Sequence, residues 1–193
     1  MDKLQPFFLY LFQFKTIPTE MVEFLRASIR IHHYPKNHEL VKIGQYHTGL
    51  FYILSGSARV CTISDDEEIV EKTFWFWHPN EIIIPFDIMD RDHPTTTKVV
   101  LNESSTLLSL PLVHLNELHR LFTEYTPLAS SILQQVIVNL SNHIQNLSQL
   151  SAEDRYNHLL ATHPYLLNII HLKYIASFLG MSLNTLNHIR AIR

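Results

Sequence analysis

The sequence predicts an α+β protein: an N-terminal antiparallel β-roll of the double-stranded β-helix type, with flanking helices, then a long helix and an all-α C-terminal domain. Three observations predict this fold class. Residues 31–110 form short β-branched and aromatic segments separated by turn residues. Residues 128–150 contain neither glycine nor proline, which favours one long helix. The last 23 residues, 171–193, have the spacing of a helix-turn-helix.

The composition excludes several other classes of protein. The 193 residues are 46% hydrophobic and 17% charged, which permits a sizeable core and argues against disorder. The longest apolar run near the N-terminus, residues 7–12, is too short to cross a bilayer and has no basic leader, so we expect a cytoplasmic protein without a membrane segment. The single cysteine, Cys61, excludes an internal disulfide framework and a four-cysteine metal centre, and we expect it to be buried.

Two short helices are expected to flank the β-roll. In residues 19–29 four apolar side chains share one helical face, and Thr19 is the candidate cap. These side chains are Met21, Val22, Leu25 and Ile29. Residues 50–54 and 58–63 read as strands because each segment precedes turn residues. Residues 111–122 follow the last strand as the second helix.

The long helix is expected to begin at Thr126, as its cap, with Pro127 at the first helical position, and to run to Leu150. Five apolar residues along it are spaced 4, 3, 4 and 3 apart, which is the seam that pairs two helices. They are Leu133, Ile137, Leu140, Ile144 and Leu147. This spacing predicts a homodimer; the alternative is that the seam packs on the β-roll of its own chain.

A compact helical domain follows. Ser151 opens a capping signature, and the His163-Pro164 pair ends that helix. In the last segment Ala176 permits close helix packing, Gly180 supplies a tight turn, and Ser182 can cap the second helix. Three further residues, Ile175, Leu186 and Ile189, are expected to be buried. The alternative is an ordinary αα-hairpin.

Charge is distributed unevenly along the chain. The formal net charge is −3, yet residues 151–193 hold four basic and two acidic residues, so that this segment carries +2 and the preceding residues carry −5. No acidic residue follows position 171. This net positive charge is modest for a segment that binds nucleic acid, and a dimer would double it.

Four motifs follow the order of the predicted elements: Val-Lys-Ile-Gly at 41–44, Leu-Phe-Tyr-Ile-Leu-Ser-Gly at 50–56, Ser-Ala-Glu-Asp-Arg-Tyr at 151–156 and Ile-Ala-Ser-Phe-Leu-Gly at 175–180. Through them nearly the whole chain resembles the Crp/Fnr family of bacterial transcription regulators. The resemblance implies a cyclic-nucleotide-binding-like sensor domain at 1–125, a dimerisation helix or linker at 126–150, and a helix-turn-helix DNA-binding domain at 151–193. It implies double-stranded DNA as a partner and RNA polymerase as a further candidate.

The resemblance also identifies an effector pocket, in which this sequence departs from the family. Cyclic-nucleotide binders of the family use a Gly-Glu pair followed by an Arg-Ser/Thr-Ala run. The first pair is Asn80-Glu81 here, and Thr95, Thr96 and Thr97 stand at the run, so the phosphate-binding arginine is missing. Its loss would cost on the order of 1.5 to 3 kcal/mol. Arg91 and Lys98 are nearby replacements. We expect another small effector, or none, in place of cyclic AMP, and no certain cofactor.

The reading positions of the second C-terminal helix differ as well. The best-known family members present Arg, Glu and Arg to DNA bases, and these positions correspond to Leu183, Asn184 and His188. With Asn187 they are the candidate base-reading residues, since asparagine can pair with adenine. The candidate phosphate contacts, which position the protein without specifying sequence, are Lys173, Ser182, Thr185, Arg190 and Arg193.

Catalytic and metal chemistry is not expected. Among thirteen histidines no two are spaced i, i+4, and no His-x-His occurs in the β region, so we predict scattered surface and capping histidines without a metal. No Ser-His-Asp or paired-carboxylate motif is recognisable. Trp75 and Trp77 face one side of a strand, where core packing is favoured over a stacking platform. Two other functions stay open: a β-roll small-molecule binder or enzyme with an incidental helical tail, and a degenerate family member that binds protein.

Overall fold

The computed structural model describes residues 2–46, 48–63, 71–84 and 93–192. Within these ranges the helices are α1 (Gln5–Phe14), α2 (Thr19–Ser28), α3 (Leu112–Leu121), α4 (Tyr125–Gln149), α5 (Ala152–Thr162), α6 (Leu166–Ile169), α7 (Leu172–Phe178) and α8 (Leu183–Ala191). The strands are β1 (Arg30–Tyr34), β2 (Glu39–Val41), β3 (Gly49–Ser55), β4 (Ala58–Ile63), β5 (Glu71–Trp77), β6 (Ile82–Ile83), β7 (Lys98–Leu101) and β8 (Ser105–Pro111).

The described strands form two antiparallel sheets, in the orders β1-β8-β3-β6 and β2-β7-β4-β5. Side chains from both sheets meet in one buried cluster, which includes Ile53, Val60, Trp77, Val99 and Leu107. Alternating inward positions on facing strands produce such a lumen. The predicted α+β fold with an antiparallel β-roll is confirmed, and Cys61 is fully buried as expected.

A layer of helices covers the outer face of the first sheet. Helices α1, α2, α3 and the start of α4 pack there around Tyr52 and Leu108. Helix α1 was not predicted, because the sequence analysis took residues 7–12 only as an apolar run. Phe7, Phe8 and Leu11 of this helix are buried.

Two predicted caps are wrong. Helix α2 begins at Thr19 itself: extended Pro18 takes the N-cap position, and its carbonyl accepts the Met21 N–H. Helix α4 begins at Tyr125, and the Thr126 hydroxyl instead lies 3.2 Å from Nδ1 of His119. The two predicted serine caps do form, since Ser151 accepts the N–H of Asp154 and Ser182 accepts that of Thr185.

The C-terminal helices share a buried cluster with the β-roll. Phe76 of β5 lies among residues of α5, α7 and α8. Its ring centroid is 5.0 Å from that of Phe178. The Thr73 N–H donates to the Ser177 hydroxyl at 3.0 Å, and that hydroxyl donates back to the Thr73 carbonyl at 3.2 Å. Helix α7 is therefore fixed directly on strand β5.

Arg155 joins the end of α4 to the turn between α7 and α8. Its Nε donates to the Leu179 carbonyl and its Nη1 to the Leu150 carbonyl, both at 2.7 Å. Longer bonds of 3.3 Å reach the carbonyls of Leu147 and Gly180. One guanidinium thus satisfies carbonyls that both helix ends leave without a helical partner.

None of the described helices combines the length and the hydrophobicity that a membrane crossing requires.

Candidate nucleic-acid interface

The turn between α7 and α8 has the geometry that the sequence spacing predicts. Gly180 has φ +62°, a left-handed conformation that favours glycine. A Cβ there would lie 3.0 Å from Cδ2 of Leu147 on α4. Ala176 and Leu186 are fully buried, so that the two helices pack closely. Ile175 is also buried, and Ile189 is half-buried.

Helix α8 presents a solvent-exposed polar face. Its four predicted base-reading residues, Leu183, Asn184, Asn187 and His188, are all exposed. The hydroxyls of Ser182 and Thr185 lie 2.8 Å apart, beside the cap bond at the helix N-terminus. Exposed Arg190 follows in the last turn. The structure therefore brings these residues together on one short helix.

Lys173 lies apart from the exposed face of α8. It lines a polar cavity of about 550 Å³ between α7 and the β-roll, together with Arg59, Glu71 and Lys98. Arg59 is nearly buried there, 4.1 Å above the ring of Tyr174. The predicted phosphate contact Arg193 lies outside the described residues.

Asn80 and Glu81 lie at the turn from β5 to β6. Asn80 has φ +68°, which asparagine tolerates better than most residues where glycine is expected. The Tyr52 hydroxyl donates to Oδ1 of Asn80 at 3.2 Å. Glu81 accepts the His78 N–H at 2.8 Å. Burial raises the pKa of the Glu81 carboxyl, and that hydrogen bond partly opposes the rise.

The three threonines have a structural role at a corner of the β-roll. The Thr95 N–H donates to the carbonyl of Gln45, and the Thr95 carbonyl accepts the N–H of Gly44, both at 2.8 Å. The Thr95 hydroxyl donates to the Thr97 carbonyl at 3.1 Å. Thr97 is buried and Thr96 is exposed.

Asn80 and Glu81 line one cavity together in the part of the chain that the structure describes. Glu81 lines two cavities there, and neither has a threonine of 95–97 in its wall. Lys98, a candidate replacement for the missing arginine, pairs with Glu71 at 2.5 Å and Glu39 at 3.5 Å. Arg91 lies outside the described residues. The shared effector pocket stays a prediction.

Four histidines line a junction cavity. Two of them fit the expected surface and capping positions, since His158 is exposed and His163 is the C-cap residue of α5. This cavity of about 340 Å³ lies between the β-roll, α4, α5 and α7. The rings of His78 and His163 stack at 4.4 Å, and those of His143 and Phe178 at 4.3 Å. His158 is the fourth histidine of its wall.

Burial favours the neutral form of three of these imidazoles. It lowers the pKa of His78 to about 3, and neighbouring His163 adds to this effect. Burial lowers the pKa of His143 and His163 as well. The Tyr165 hydroxyl contacts Nδ1 of His78. Among the described residues, no group of three His, Cys, Asp or Glu side chains could hold a metal ion.

The predicted dimer seam on α4 is exposed at Ile137 and Ile144 and half-buried at Leu140 between them. Ile137 and Ile144 are 64% and 63% exposed, so these two residues do not pack on the β-roll of their own chain. The two ends of the seam also meet residues of their own chain, although Leu147 is still 37% exposed. Leu133 lines an apolar cavity within the chain, and Leu147 contacts the turn at Gly180.

Residues 31–121 match the family model described as the cyclic nucleotide-binding domain. FixK2 from Bradyrhizobium japonicum is similar in structure, with a TM-score of 0.70 at 10% identity over 84% of this chain and 83% of that chain. A protein from Eubacterium rectale assigned to the Crp/Fnr family gives 0.70 at 14% identity over 90% and 82%. The regulator CLP from Xanthomonas campestris gives 0.65 at 16% identity over 89% of each chain. No curated protein sequence matches this chain significantly. At these identities the likeness shows the fold.

Proposed function

We propose that this chain is a dimeric transcription regulator of the Crp/Fnr type, which binds double-stranded DNA through α8. The observation that carries the proposal is the Ser182-capped helix α8, whose polar face is exposed while Ala176 and Leu186 are fully buried beneath it. A recognition helix needs such a free face, because side chains near its N-terminus reach base edges in the major groove. The similar structures include proteins named as regulators, which supports the proposal.

Sequence reading is assigned to Leu183, Asn184, Asn187 and His188. Asn184 can pair with adenine through two hydrogen bonds, whereas a histidine at position 188 reads guanine less strongly than arginine does. Arg190, Ser182 and Thr185 supply phosphate contacts, with Arg193 as a further candidate. Lys173 is a weaker candidate, since it lines the cavity against the β-roll.

Dimerisation is assigned to the α4 seam. The exposed apolar surface of Ile137 and Ile144 supports this assignment, because a soluble helix rarely leaves such a seam in water without a partner. A two-fold dimer would present two copies of α8 to half-sites about 34 Å apart. RNA polymerase is a further proposed partner of the bound dimer.

We further propose that the β-roll senses a small effector other than cyclic AMP. The absence of the family's arginine and the engagement of Lys98 with two carboxylates support this. Asn80, Glu81 and Arg91 are the proposed contacts. Calorimetry should detect no micromolar binding of cyclic AMP, and micromolar binding would contradict the proposal.

The DNA-binding test begins by selecting bound sequences from a pool of random duplexes. We expect enrichment of a two-fold symmetric site, bound more tightly than random DNA and with an affinity that falls as salt rises. Fluorescence anisotropy then compares variants on the selected and random duplexes. Asn184→Ala should reduce the preference by about 1–3 kcal/mol, while Arg190→Ala should weaken binding to both duplexes alike.

Matched controls are the exposed Asn168→Ala on α6 and Arg120→Ala on α3. Both should leave DNA binding unchanged. No enrichment of any site would reject the DNA-binding function, and equal effects of Asn184→Ala on selected and random DNA would reject its reading role.

A further inference from the structure

An apolar cavity of about 310 Å³ lies between the helical layer and the outer face of the β1-β8-β3-β6 sheet. Its walls come from α1, α2, α3, α4 and three strands. Of its seventeen lining residues, sixteen have aliphatic, aromatic or thioether side chains, and Tyr125 has the one side-chain hydroxyl among them. The cavity lies outside the lumen of the β-roll, where Val60, Val99 and Leu101 pack, and Ile83 belongs to both.

The cavity is partly enclosed, because ten of its seventeen lining residues are buried and seven are half-buried. Three of its lining residues, Met21, Leu25 and Leu118, are at most 2% exposed. Protein interiors are packed as densely as organic crystals and contain few voids larger than a water molecule. A partly enclosed space of about 310 Å³ with apolar walls is therefore an exception to close packing.

The apolar side chains of the cavity wall determine which class of molecule can bind there. An apolar cavity of about 150 Å³ stays dry and takes up benzene, so twice that volume admits a molecule about twice as large. A charged ligand would lose its hydration, and none of the described lining residues carries a charge that could replace it. An uncharged apolar molecule would gain dispersion contacts on every side.

We infer that this cavity binds an uncharged apolar molecule of the size of two fused aromatic rings or a medium-length alkyl chain. Helix α4 contributes Ala129, Ile132 and Leu133 to the wall. Leu133 is one turn before the exposed Ile137. The ligand therefore touches the helix that carries the proposed dimer seam, although its binding does not depend on DNA binding.

Naphthalene is the probe, and naphthalene-2-sulfonate is its charged counterpart. We expect saturable binding of one naphthalene per chain, and binding of the sulfonate weaker by about tenfold or more because its charge cannot be buried. Displacement of naphthalene by n-octane would identify an alkyl chain as the preferred ligand, and failure of displacement would identify a ring compound.

Ala129→Leu fills the cavity from the α4 wall. It should weaken naphthalene binding by about tenfold or more, since the added atoms take the space of the ligand. Ala161→Leu, at an exposed position on α5 outside the cavity wall, should leave the affinity unchanged. Leu115→Phe fills the cavity from α3 and replaces Ala129→Leu if that variant does not fold, as judged by circular dichroism.

Three results would overturn the inference: no saturable binding by the unaltered chain, equal affinity for the sulfonate, or unchanged affinity in a folded filling variant. A fourth concerns a second copy. If naphthalene binds an Ile137→Glu monomer and not the unaltered dimer, a partner chain covers the cavity and the inference is wrong. DNA binding is measured on the same samples, so that its failure is distinguished from a failure of ligand binding.

Discussion

At the scale of single residues, His78 is the side chain whose protonation the fold opposes most clearly. Burial and His163 lower its pKa to about 3, against an ordinary value of 6.5. Below pH 6.5 the unfolded chain therefore binds a proton that the folded chain excludes. The contribution of neutral His78 to stability is complete above pH 6.5 and is lost as the pH falls toward 3.

Replacing His78 should flatten the dependence of stability on pH. In the unaltered chain this residue should reduce the free energy of unfolding by up to about 1.4 kcal/mol per pH unit below pH 6.5. His78→Gln removes that proton uptake. Glu81, whose buried carboxyl has a raised pKa, acts in the opposite direction in both proteins, so their difference isolates His78. Urea unfolding between pH 4.5 and 7.5 measures it, and parallel curves would contradict the assignment.

Gly180 should tolerate alanine less well than Gly44 does. Both glycines have positive φ, +62° and +82°, so each alanine costs about 1 kcal/mol of stability through its backbone conformation. A Cβ at Gly180 also meets Leu147 at 3.0 Å, whereas nothing lies within 4 Å of one at Gly44. Thermal unfolding of Gly180→Ala and Gly44→Ala compares them. Equal destabilisation would mean that Leu147 moves aside freely.

At the scale of elements, the junction of α4 with the C-terminal helices depends on Arg155. Arg155→Met keeps an unbranched apolar stem and removes the guanidinium with its hydrogen bonds to carbonyls of α4 and of the α7–α8 turn. We expect a loss of about 1.5–3 kcal/mol from the C-terminal helices. Hydrogen exchange should accelerate in α7 and α8 and not in the β-roll. Arg120→Met on α3 is the control, and uniform acceleration would indicate global destabilisation instead.

The apolar seam of α4 leads to a prediction about the oligomeric state of the chain. Ile137→Glu should shift the chain from dimer to monomer, because it introduces like charges at the centre of a paired apolar seam. Gln135→Glu, an exposed position on the other side of α4, adds the same charge and should leave the dimer intact. Sedimentation velocity at micromolar concentration distinguishes the species. A monomeric unaltered chain would remove the basis for the seam.

At the scale of the whole molecule, the structural features that the sequence predicts are those that depend on residues close together along the chain. The helix caps at Ser151 and Ser182 and the turn at Gly180 depend only on nearby residues. Serine and glycine are the residue types that such caps and turns favour, so the sequence predicts them. Helix α1 escaped prediction because its apolar residues are continuous. Leu9 and Phe12 are 56% and 46% exposed although they resemble the buried residues beside them, so no periodicity marks the inner face.

Contacts between distant segments could not be predicted in the same way. His78 and His163 are far apart in sequence, and only the packing of the C-terminal helices on the β-roll stacks their rings. The predicted effector residues are the opposite case, in which residues were expected to lie together. Asn80 and residues 95–97 were grouped by resemblance, whereas the described hydrogen bonds join Asn80 to strand β3 and Thr95 to Gly44 and Gln45. A family pattern locates such residues along the chain without stating what they contact.

The link between Thr73 and Ser177 also bears on solubility. Strand β5 is at the end of its sheet, so one side of its backbone faces no neighbouring strand among the described residues. The Ser177 hydroxyl engages both the N–H and the carbonyl of Thr73 and takes the place of such a strand. An uncovered edge is a template for pairing with other chains. We therefore expect the first helix of the C-terminal pair to limit aggregation through this edge, and a state in which that helix departs should associate with other chains more readily.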